Sequence, residues 1–144
     1  MAESIRPEHF IQVLALPRDP YAELAGFLTR KLQSARIPLT DEIAAQAAIS
    51  RLLDELEVKH KREHRLSPHE RLDFWLPEPR GDAGEVIEVK MNAARPASIV
   101  RQLARYAAHP CVRALYLVSN RAMDLPADIG GKPAFLISLG RAWL

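Results

Sequence analysis

Apolar residues recur along this chain in two rhythms, one of three to four residues and one of two, and the change of rhythm separates helices from strands. Over residues 21–35, Leu24, Phe27, Leu28 and Leu32 keep helical spacing behind a capping acid, Asp19, and a proline, Pro20, suited to a first helical position. Over residues 41 to about 57, Ile49, Leu52, Leu53 and Leu56 form a second buried stripe, with Thr40 as the expected N-cap. Residues 57–66, 71–76 and 85–90 then read as three strands. The connection over 77–84 holds two prolines and two glycines, which makes a hairpin the natural link.

The rest of the chain completes an α/β pattern. Residues 91–96 read as a loop, and Ser98 as the cap of a helix that turns Ile99, Leu103, Tyr106 and Ala107 inward, borders that stripe with Gln102 and projects Arg101 and Arg105 outward. Residues 112–118 are almost wholly apolar, as a strand covered on both faces should be. Residues 120–132, with Pro126 and Gly130-Gly131, read as a loop with one helical turn, and 134–139 as the last strand. An apolar stretch at 7–16 reads as a short helix ended by Pro17 and Pro20. The strand, helix, strand passage requires a crossover, so a mixed β-sheet flanked by helices is expected. Pro38 marks the joint between an N-terminal helical extension, 1–37, and a domain over 38–144.

With 144 residues, 48% of them hydrophobic, the chain has material for one domain with a substantial core. Its single cysteine, Cys111, excludes an intrachain disulfide and a cysteine-based zinc site. No apolar run reaches membrane-spanning length and the N-terminus lacks the apolar core of a signal peptide, so a soluble cytoplasmic protein with no membrane partner is expected. The formal charge of +2 is unevenly spread: residues 1–57 carry six Lys/Arg against nine Asp/Glu, and residues 58–144 fourteen against nine. Lys59, Lys61, Arg62, Arg65 and Arg71 oppose only Glu63 and Glu70 over 58–72, with His60, His64 and His69 between them. Such a patch suits a polyphosphate backbone, or is a solvated face.

The candidate chemistry lies on the second and third strands. Side chains alternate across a strand, so Glu88 and Lys90 point the same way, and the hairpin lets Asp73 face Glu88. Asp73, Glu88 and the carbonyl of Val89 could then hold a hard divalent cation such as magnesium, with Lys90 placed to act on a metal-bound water. The alternative is a solvated sheet face with a cross-strand ion pair. On the preceding helix Glu42 and Gln46 fall near the line through Ile49 and Leu53, which makes Glu42 a further candidate acid, unless it serves only the helix dipole.

These residues resemble the PD-(D/E)XK nuclease superfamily, with its restriction-endonuclease-like αβββαβ core, over about residues 38–139. The resemblance rests on Asp73, on Glu88-Val89-Lys90, on the upstream Glu42 and on Gln102-Leu103-x-x-Tyr106, which looks like a Q-x-x-x-Y element. It differs in having Leu72 where the family name has proline. The run around Asp73 also looks like that of small stand-alone members from phages and mobile elements. The resemblance implies magnesium or manganese on Asp73 and Glu88, a water positioned by Lys90, and assistance from Gln102 and Glu42. A metal-dependent nuclease acting on DNA, or on RNA, is thus expected, with phosphate contacts from Lys59, Lys61, Arg65 and Arg101 and a homodimer for two-strand cleavage. Two rivals remain: a nucleic-acid-binding or protein-interaction module without cleavage, and a zinc peptidase based on His60-Lys61-Arg62-Glu63-His64, which requires the second helix to run on to Arg65.

Overall fold

Residues 19–92 and 95–139 are described in the computed structural model of the chain, where they form an α/β fold of three helices and a six-stranded mixed sheet. In chain order the elements are α1 (Pro20–Ser34), α2 (Glu42–Glu55), β1 (Lys61–Ser67), β2 (Glu70–Pro77), β3 (Gly84–Lys90), α3 (Pro96–Ala107), β4 (Val112–Ser119), β5 (Asp128–Ile129) and β6 (Lys132–Ser138). The strands lie in the order β1-β2-β3-β4-β6-β5. The pairs β1–β2, β2–β3 and β5–β6 are antiparallel, whereas β3–β4 and β4–β6 are parallel. The first parallel pair follows from the crossover through α3.

Strand alternation sends the sheet's apolar residues into two cores. Ile87, Val89, Ala114, Tyr116 and Val118 pack with Leu28 and Leu32 of α1 and Ile49 and Leu53 of α2. Val86, Leu115 and Leu117 pack on the other side with Ile99, Leu103 and Tyr106 of α3. The two-sided burial of β4 is why its sequence is almost wholly apolar. The described part of the N-terminal extension is not set apart from the domain, since α1 shares its core with α2.

Several boundaries differ from expectation, each for a local reason. Asp41, not Thr40, caps α2: its carboxylate accepts the Ile43 and Ala44 amides at 3.0 and 3.2 Å. The first strand begins at Lys61 because α2 closes with a Schellman motif. Val58 N–H reaches Leu53 O at 2.8 Å and Glu57 N–H reaches Asp54 O at 3.0 Å, with Glu57 in the left-handed region at φ 58. Glycine usually holds that position, so no stop signal is visible in the sequence. The third helix begins at Pro96, whose fixed φ suits a first helical position, and Arg95 precedes it without a side-chain cap. Ser98 lies within the first turn and accepts from Arg101 at 3.2 Å. In place of a helical turn the 120–132 segment carries β5, joined to β6 through Gly130 and Gly131, whose φ of 61° and 81° suit a tight hairpin turn. The helix expected over 7–16 lies outside the described residues.

Candidate metal centre

Asp73 stands where β2 and β3 part. Their pairing runs from Pro77↔Gly84 to Phe74↔Ile87 and stops, and one residue further the Asp73 carboxylate accepts the Val89 N–H at 2.8 Å. Alternation on β2 breaks at the same point: Phe74 and Leu76 belong to the α1/α2 core, whereas Leu72 and Trp75 belong to the α3 core. On β1 the residue between the pairs Arg62↔Phe74 and His64↔Leu72 is Glu63, held at φ 51. A paired kink of this kind re-aims side chains. Here it frees an acid from the ladder and gives it a backbone partner on the next strand.

Glu88 is the one buried carboxylate among the described residues, 2% exposed, and its Oε2 has no hydrogen-bond partner. Its Oε1 lies 3.7 Å from the Lys90 ammonium, in keeping with the shared face expected from the sequence. Burial, and then the negative charge of Asp73, push the Glu88 carboxyl from 4.5 up to about 9, against the pull of Lys90. Above this pair sits Tyr106 of α3. Its hydroxyl donates to Arg71 O at 3.1 Å and accepts from the Gln102 amide at 2.9 Å, and burial followed by the Glu88 charge raises its pKa. Gln102 thus acts on Tyr106; no hydrogen bond joins it to the acids.

An unpartnered oxygen on a buried carboxylate beside a second, half-buried carboxylate is the donor chemistry of a hard divalent cation. Asp73 and Glu88 are the two acids that could hold such an ion. Val89 lies beside both, with its N–H held by Asp73. The upstream acid, Glu42, bonds at another point of the same chain segment. Its Oε2 is 3.4 Å from the Met91 N–H, and Met91 packs in the α1/α2 core, across the sheet from the α3 core that receives the Glu88 face. Among the described residues no three His, Cys, Asp or Glu gather to hold one metal.

Beyond Lys90, at the carboxyl ends of β3 and β4, a pocket of about 140 Å³ is lined by Lys90, Asn92, Ile99, Ser119 and Arg121. Ligand sites in open α/β sheets favour this end of parallel strands. Asn120 braces it: the side-chain amide donates to Leu39 O at 2.8 Å and bonds Asn92, while Asn120 Oδ1 accepts the Asn92 N–H at 3.0 Å. Neither asparagine is singled out by sequence, because only folding brings 39, 92 and 120 together.

No protein-family model, no curated protein and no solved structure matches the chain. The chemistry of the site therefore stands on its own geometry. The expected phosphate contacts, Lys59, Lys61, Arg65 and Arg101, are all exposed. Lys61 and Arg65 line one groove on β1, whereas Arg101 lies on α3, bonded to Ser98. The zinc-peptidase arrangement is absent: α2 ends at Glu55, and His60 is bonded to Ser50 Oγ at 2.8 Å and Val58 O at 2.9 Å while His64 lies on β1. His60 is a satisfied structural histidine.

Proposed function

We propose that the chain is a metal-dependent nuclease that hydrolyses DNA phosphodiesters, with magnesium or manganese held by Asp73 and Glu88 on a restriction-endonuclease-like core. The observation that carries this reading is the buried, donor-less Oε2 of Glu88 beside the Asp73 carboxylate. The order of three strands, a crossover helix and a parallel strand, β1-β2-β3-α3-β4, supports the fold assignment.

Asp73, and Glu88 once the ion displaces its proton, would supply the negative charge that holds the ion. When bound, the ion lowers the pKa of a water and neutralises charge on the phosphate. Lys90, tied to Glu88, holds its ammonium where it can orient the attacking water and later offset the charge that develops on the phosphate oxygens. Gln102 fixes the Tyr106 hydroxyl, which is also held by Arg71 O beside the buried Glu88. Lys59, Lys61, Arg65 and Arg101 serve the backbone of the substrate.

The test is cleavage of supercoiled, linear and single-stranded DNA, and of RNA, in magnesium, manganese or EDTA. Wild type cuts only with metal, and Glu88→Ala loses cleavage while keeping binding. Cleavage retained by that variant overturns the reading. Binding by wild type with no cleavage in any metal would instead make the chain a nucleic-acid-binding module.

A further inference from the structure

A second feature of the α3 side of the sheet has no part in holding the metal. His64 of β1 stacks on Trp75 of β2, with ring centroids 5.0 Å apart and planes 14° from parallel. The indole plane is fixed from beneath by Gly84, where a Cβ would stand 2.5 Å from Trp75 Cζ2. Only glycine leaves room for the ring, so the shelf is built in advance of any ligand. The two rings, with Lys61, Arg65, Asp82 and Cys111, line a groove of about 310 Å³. Arg62 takes no part, being turned over the Phe74 ring at 5.9 Å.

We propose that this groove binds an unpaired base of single-stranded DNA against the His64–Trp75 stack, with the adjoining phosphates on Lys61 and Arg65. The proposal rests on the nucleic-acid reading above and adds to it the strandedness of the substrate. Aromatic platforms flanked by cations bind single strands because every unpaired base offers a π-face, whereas bases in a duplex are covered by their neighbours. Two cations face one acid, Asp82, in the groove, and charge complementarity therefore favours a polyanion over an acidic-patch-seeking protein. Burial and then Lys61 hold the His64 imidazole below its ordinary pKa, leaving the shelf neutral and flat at physiological pH. Position completes the case. Trp75 pairs with Val86, two residues along their strands from Asp73 and Glu88, a step of roughly 7 Å. A strand seated on the shelf thus runs past the carboxylate pair.

The full chain is titrated in EDTA against a labelled single-stranded oligonucleotide and its blunt duplex, read by fluorescence anisotropy. The single strand should bind about tenfold tighter; His64→Ala should remove about that factor and His64→Phe restore it, as a stacking surface requires. Lys61→Ala and Arg65→Ala should each reduce the salt slope of single-strand binding by about 0.7. A readout without substitution uses Cys111, the only cysteine of the chain, whose modification by a maleimide should slow when single-stranded DNA fills the groove. Equal affinity for duplex, unchanged binding by His64→Ala, or an unchanged Cys111 rate overturns the proposal. EDTA separates the two readings: loss of the groove leaves metal-dependent cleavage of duplex DNA standing, and loss of the metal site leaves single-strand binding standing.

Discussion

A buried carboxylate oxygen without a hydrogen-bond partner is destabilised unless a proton or a cation compensates it, and Glu88 Oε2 is in that state beside a second acid, with Lys90 3.7 Å from the other oxygen. A cation that binds the folded chain alone should therefore stabilise it. At magnesium a hundredfold above its dissociation constant, the gain is about 2.7 kcal/mol. Thermal unfolding with and without magnesium should show this shift for wild type, and Asp73→Asn and Glu88→Gln should each abolish it; an equal shift in the variants would place the ion elsewhere. Glu88 and Lys90 were legible as a pair because a strand's alternation fixes which side chains share a face, and Asp73 because the hairpin brings its strand alongside. Glu42 was not, because a helical stripe says which way a residue points and not which strand end it meets. Its actual partner, the Met91 amide, depends on how α2 sits across the sheet.

The same contrast holds for whole elements. Their existence and type followed from periodicity, while their ends were decided by cap chemistry that two neighbouring residues could each have supplied. Thr40 and Asp41 are both competent N-caps, but only Asp41 accepts amides of the first turn. Asp41→Ala should cost about 1 kcal/mol in chemical denaturation and Thr40→Ala far less. The Glu57 turn and the two-residue β5 escaped the sequence because neither has the length or the residue type that patterns detect. By sequence Gly84 is part of the hairpin link; in the fold it is a seat for the Trp75 indole. The methyl of an alanine there would meet the Trp75 ring at 2.5 Å and Leu76 O at 2.7 Å. Gly84→Ala should therefore lower stability by about 1–3 kcal/mol, measured as a shift in urea midpoint at unchanged slope.

Across the molecule, the first turn of α1 is fastened to the end of the sheet remote from the Lys90 pocket. The Tyr21 hydroxyl donates to Glu78 at 2.9 Å, and the Tyr116 hydroxyl donates to Tyr21 O at 3.1 Å. Glu85 lies in the same neighbourhood, where burial and then Glu78 raise its pKa from 4.5 to about 7. Since the folded state binds this proton more tightly than the unfolded one, the contribution to stability is complete below 4.5. It declines as pH rises and is gone above about 7. Denaturation midpoints in EDTA should fall across that window, and Glu85→Gln should make the fall shallower, leaving the part that Glu88 carries on up to about 9. A midpoint with the same pH dependence in the variant would assign the fall to other groups.

The sequence by itself determined the α/β class, the crossover, the two-sided burial of β4 and the common face of Glu88 and Lys90, because hydrophobic period and strand alternation are local properties carried by neighbouring residues. Tertiary structure alone decided that Asp73 leaves the ladder to bind Val89, that Glu88 is buried with one oxygen unpartnered, that Glu42 meets the Met91 amide, and that His64 lies on Trp75. Those outcomes depend on register, kinks and the seating of helices on the sheet. They join residues far apart in the chain, whose mutual distances no local pattern encodes.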